Sequence, residues 1–99
     1  MTALESLQHA DFAKHEGTAF ALPQAGNDFS LILQSARLLG HHHPGATRDA
    51  FALVFAHPGN IRIAQGIHHF EHAELGTLHL FITQVSGSPQ GSEFEAVFT

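Results

Sequence analysis

The chain alternates between apolar and polar positions with a period of two over most of its length, the signature of β-strands with one buried face. Thr18 to Leu22 reads as a first strand, closed by Pro23 and Gly26-Asn27. In the second, Phe29, Leu31 and Leu33 alternate with Ser30, Ile32 and Gln34, and the pattern runs on through Ala36 and Leu38 toward Gly40. In the third, Phe51, Leu53 and Phe55 alternate with Ala50, Ala52, Val54 and Ala56, ending at His57-Pro58-Gly59-Asn60. A strand with one bulky and one small apolar face belongs at the centre of a sheet, covered on both sides. Gly66 to His72 is ambiguous: it fits a strand bounded by Gly66 and Leu75-Gly76, and with Ala73 to Leu75 it also fits a short helix. Its neighbours are strands at hairpin spacing, so the strand is the preferred reading. Thr77 to Val85 sets Leu78, Leu80 and Ile82 against His79, Phe81 and Thr83. Ser86 to Gly91 reads as a flexible loop. The last strand, Glu93 to Phe98, faces Phe94, Ala96 and Phe98 inward.

Before these strands, residues 1–17 carry the helical signals. Thr2 and Glu5 have capping-box spacing. Asp11 near a first turn, with Phe12 as its apolar anchor, marks a second possible start, and Gly17 supplies a left-handed stop after a helix ending near Glu16. Leu4 to Leu7 fits either that helix or a separate extended arm. The expected fold is therefore mainly β: about six antiparallel strands in a small barrel or sandwich, the barrel preferred, with one short N-terminal helix. Short connections favour hairpins over parallel crossovers, and closure limits exposed edges. Phe20, Phe29, Leu31, Leu33, Phe51, Leu53, Phe55, Leu78, Leu80, Ile82, Phe94 and Phe98 are the expected core. Ninety-nine residues make one domain, read as a single globular β unit over 1–99.

Composition narrows the function. Only Lys14, Arg37, Arg48 and Arg62 are basic, against nine carboxylates. That is a poor footprint for nucleic acid or an anionic membrane surface. No apolar run approaches the ~20 residues of a membrane span. The first residues lack a basic region followed by an apolar stretch, so the expected location is the cytoplasm, without a signal peptide. Cysteine is absent, which removes disulfides and thiolate chemistry. All nine aromatics are Phe, which disfavours the Trp- or Tyr-based platforms common in carbohydrate and nucleobase sites. No Walker loop, dinucleotide fingerprint, nucleophile elbow or H-E-x-x-H is present.

The ten histidines stand out. Protonating them outweighs the formal charge of −5, so the molecule changes sign between about pH 5 and 7. His41-His42-His43, flanked by Gly40 and Pro44-Gly45, reads as a solvated loop that picks up zinc or nickel only weakly. His68, His69, His72 and His79 lie on firmer backbone. On a strand, His68 and His72 share a face but are about 13 Å apart at ~3.3 Å per residue. His79 would reach His68 or His72 only across a hairpin. His68, His72 and His79 are thus the runner-up metal candidates, and the expectation is no bound metal, no cofactor and no catalytic residue.

Several segments carry a resemblance. His9-Ala10-Asp11-Phe12 through Gly17-Thr18-Ala19-Phe20 resembles the opening of a family of small bacterial domains of unknown function. Asp49 to Phe55, Gln65-Gly66 followed by Glu71-His72 and Leu75-Gly76, and Phe94 to Phe98 are similar in the same way. The resemblance spans nearly the whole chain and rests on strand signatures and turn glycines. An aromatic is usual in the family where this chain has His68, and Asn where it has Thr99, so His68 inherits no shared role. Some members are encoded near phage-tail-like collar or fibre proteins, which implies assembly. The expected function is a non-catalytic protein-interaction or assembly module acting through self-association or a protein partner. The alternative is a small-ligand or metal-binding barrel.

Overall fold

The computed structural model describes residues 7–26, 28–40 and 50–98. It contains a helix α1 (His9–Ala13) and six strands: β1 (Ala19–Ala21), β2 (Ser30–Leu38), β3 (Phe51–His57), β4 (Gly66–His72), β5 (Gly76–Ser88) and β6 (Gly91–Phe98). They close into a barrel in the order β1-β2-β3-β6-β5-β4, every neighbouring pair antiparallel. Two three-stranded meanders are therefore joined by β3 against β6 on one side and β1 against β4 on the other.

The expected barrel is observed, and the Gly66–His72 segment is a strand. Inward-facing Phe20, Leu31, Leu33, Leu53, Phe55, Phe70, Leu80, Ile82 and Phe94 fill the interior and are almost wholly shielded from water. Phe55 packs against Phe20 and Phe70 at ring separations of 5.3 and 5.1 Å. At one end, Phe12 of α1 closes over Phe51 and Phe98, whose rings stack at 4.6 Å. Irregular residues 58–65 run between β3 and β4. Ile61 and Ile63 pack against the core there, and their amides are tied to Ser92 Oγ and Gln84 Oε1.

Three details depart from the sequence reading, and one choice it left open is settled. Phe29 is half-buried rather than in the core, because it lies before β2 and stacks on His57 at 5.2 Å. The helix stops at Ala13, and a run of turns carries the chain to Gly17, whose φ of +87° provides the expected left-handed stop. Asp11 accepts a hydrogen bond from the Gln8 amide, fixing the later of the two helix starts. Ser86 to Gly91 is not a flexible loop: β5 runs to Ser88, β6 begins at Gly91, and Pro89-Gln90 alone form the connection. Gly91 suits that position, since a Cβ there would lie 2.9 Å from the His57 carbonyl oxygen. The Thr2–Glu5 capping box and the His41-His42-His43 loop lie outside the described residues.

Candidate interaction surface

The outward face of the barrel is set by register. Ile67 on β4 lies directly opposite Phe81 on β5. The registered β5–β6 pairs run from Thr83↔Glu95 to Ser88↔Gly91, and Val97 lies two residues beyond Glu95 in the outward phase of β6. Val97 in turn faces Ala52 of β3, which faces Arg37 of β2. Ile67, Phe81 and Val97 are 70%, 53% and 54% exposed, so the Ile67–Phe81 pair and, on β6, Val97 set three large apolar side chains in water on the outer wall. Glu95, two residues from Val97, and Glu71, on the same face of β4 as Ile67, flank this strip. The sequence places Phe81 in the outward phase of β5; its pairing with Ile67 needs the register.

The histidines are dispersed by the same register. His79 faces His69 on the outside, with ring centres 5.2 Å apart, and not His68 or His72 as the runner-up metal set requires. The turn at Ala73–Leu75, with Gly76 at φ +78°, fixes that pairing. His68 alternates with Ile67 on the opposite face and donates from Nε2 to the Ala64 carbonyl at 2.7 Å. The structure thus does not bring His68, His72 and His79 together. Among the described residues no three His, Asp or Glu side chains are grouped to hold a metal ion. His69 Nε2 lies 3.2 Å from Glu71 Oε1. That contact, followed by the Thr77 hydroxyl, holds the Glu71 carboxyl below its ordinary pKa.

His72 has a different role. Its Nδ1 accepts hydrogen bonds from the Glu74 and Leu75 amides, so the neutral ring carries its proton on Nε2. Nε2 donates to Thr18 Oγ at 3.0 Å, and the Thr18 hydroxyl donates to the His15 carbonyl at 2.6 Å. The His72 ring packs 4.4 Å from Phe20 and 4.5 Å from the ring of His15. Burial, and then His15, push the His72 pKa below its ordinary value, while Glu74 opposes the shift. His15 is only 6% exposed; its Nε2 lies 3.4 Å from Glu74 Oε2 without forming a hydrogen bond. Both ring nitrogens of His72, one accepting and one donating, are used within the fold, which makes the residue a latch between β1 and β4. Sequence spacing offers no hint of it, since Thr18 and His72 are 54 residues apart.

A shallow groove of about 590 Å³ crosses the outer ends of β2, β3, β6 and β5, lined by Ile32, Gln34, His57 and Gln90 among others. His57 Nδ1 accepts from the Gly59 amide, leaving its Nε2 as a donor. Among the described residues no helix is long and apolar enough to cross a membrane.

Fold and surface together define a small, closed, six-stranded antiparallel barrel with an apolar strip on its outer wall. The family model of a domain of unknown function, DUF6916, matches residues 7–98, and the chain belongs to that family. No curated protein and no solved structure matches it.

Proposed function

We propose that this domain is a non-catalytic protein-interaction or assembly module that binds a protein partner through the outer wall of β4, β5 and β6. The observation carrying this reading is the exposed Ile67–Phe81 pair across β4 and β5, with Val97 also exposed on β6. Solvated apolar side chains of this size, contiguous and rimmed by charge, are typical of surfaces covered by another protein. The rim carries Glu71 and Glu95, with Arg37 beyond Ala52 at its far end, and the chain is acidic overall, so the complementary partner presents an apolar centre with a mainly basic border. A bacterial tail-like or other surface assembly is the setting that the family resemblance supports.

The test is purification of the tagged domain from its native cell, in parallel with Phe81→Lys. One protein partner retained by the native chain and lost with the variant is the expected result. A domain that stays monomeric and partnerless in native extracts, yet turns over a metabolite, would overturn the proposal.

The groove supports a second reading, a small-ligand site. Its volume suits a small molecule, and Gln34, His57 and Gln90 supply polar contacts. A stoichiometric organic molecule released from the purified protein, and lost in His57→Ala, would place this reading first.

A further inference from the structure

The barrel closes between β1 and β4 through a single registered pair, Ala21↔Glu71. Beyond Ala21 the first strand does not continue alongside β4. Leu22 bonds back to Phe29 across the β1–β2 hairpin, Pro23 has no amide proton to give, and the Ala25 amide closes a turn on the Leu22 carbonyl. On that side of β4, Gly66–Phe70 therefore has no registered strand among the described residues. Its other side is paired with β5 along its full length. In an antiparallel ladder alternate residues point their amide and carbonyl groups to opposite sides, so this stretch presents unpaired backbone groups at an edge.

We propose that Gly66–Phe70 is a docking edge that accepts an extended segment of a partner protein as a seventh strand, with an apolar residue beside Ile67 and a lysine or arginine two residues away beside His69. This rests on the interaction reading above and names its recognition chemistry. Backbone hydrogen bonds select an extended segment, and alternate side chains give it specificity. Ile67 is the outermost residue of the exposed apolar row, so an apolar neighbour on the added strand extends the row by one. Next along the same outward face comes His69, against Glu71. A long basic side chain beside His69 reaches the Glu71 carboxylate diagonally, a separation of roughly 7–8 Å between strands. An acidic residue there would meet that carboxylate and a chain of net charge −5. The same charge disfavours a second copy of this chain as the occupant.

The probe is an octapeptide of two Lys-Thr-Ile-Thr repeats, which places lysine and isoleucine on one face at the required spacing. It is titrated into the isotope-labelled full chain, and amide shifts and hydrogen exchange are followed. The expected result is shift changes and slowed exchange centred on Gly66–Phe70. Replacing lysine by aspartate in the peptide weakens binding at least tenfold. Ile67→Lys weakens it to a similar degree while leaving the melting temperature unchanged, because that side chain already faces water. Val97→Lys, two strands from the edge, leaves peptide binding intact. Equal affinity for both peptides, shifts confined to the Phe81–Val97 wall or the groove, or no binding would overturn the inference. So would a peptide-free dimer that Ile67→Lys dissociates. If the edge fails while Phe81→Lys still loses the native partner, the interaction reading survives without it. If the peptide binds but no native partner exists, the interaction reading is the one that falls.

Discussion

The two junctions between the meanders are built on different principles. β3 and β6 are registered from Phe51↔Phe98 to His57↔Ser92, with Phe55 facing Phe94 at its centre and aromatic rings stacked at one end. β1 and β4 share one backbone pair, and beside it stands a side-chain device: His72 bound to Thr18 and to two amides of its own turn, and packed on Phe20. The first junction depends on pleat and burial, which are insensitive to pH. The second includes an imidazole whose pKa burial holds below its ordinary value, so acid acts on this side of the barrel.

Substitutions separate the two junctions. Phe55→Ala carries the largest expected effect. It removes a fully buried ring that touches Phe20 and Phe70 and destabilises the whole domain by about 3–5 kcal/mol in urea denaturation. His72→Ala leaves the Glu74 and Leu75 amides without their acceptor and removes the donor to Thr18 Oγ, whose own proton stays on the His15 carbonyl. Its expected cost is about 2 kcal/mol, with faster amide exchange in Ala19–Ala21 and little change in β3 or β6. A global acceleration, equal on both sides, would erase the distinction.

Acid acts on the same latch. The His72 pKa is depressed in the folded chain. Between that depressed value and the ordinary one, the unfolded chain binds a proton that the folded chain refuses. The contribution is therefore fully present above about pH 6.5 and is lost as pH falls toward the folded value. Thermal melts of the native chain should drop on going from about pH 7 to pH 5, and those of His72→Gln, which cannot titrate, should drop less. Thr18→Val removes the hydroxyl between His72 and the His15 carbonyl and should cost about 1 kcal/mol. Ile67→Lys, at the unpaired end of the weak junction, should stay within about 0.5 kcal/mol of the native chain.

The inward faces of the two strands at the strong junction were legible in the sequence, though their pairing was not, and the weak junction was not legible at all. β3 and β6 alternate without interruption, so Phe51, Leu53, Phe55, Phe94 and Phe98 announce their face directly. β2 and β5 carry irregularities at Leu33/Ser35 and Gln84/Ser86 that shift the phase, and Leu38, expected to continue the pattern, ends 52% exposed. The His79–His69 pairing follows from a turn whose length the residue types do not dictate. The latch joins residues far apart in sequence, and neither Thr18 nor His72 lies in a pattern that signals a partner. The apolar strip was legible only one residue at a time, because adjacency across strands is a property of register.

The edge of β2 beyond the reach of β1 is treated differently from that of β4. The Ala36 amide donates to Glu16 Oε2 at 2.7 Å, and the Ala36 carbonyl accepts from His9 Nε2 at 2.9 Å. Two side chains from the N-terminal segment thus take the place of a neighbouring strand. Stripped of that segment, one molecule would offer unsatisfied edges on both flanks of its weak seam. One edge of each copy would then fit the other edge of the next. Contacts of that head-to-tail kind close into rings or run on as filaments, according to the rotation between copies. The short N-terminal segment thereby covers the β2 edge and, among the described residues, leaves the edge of β4 as the one without such a cover.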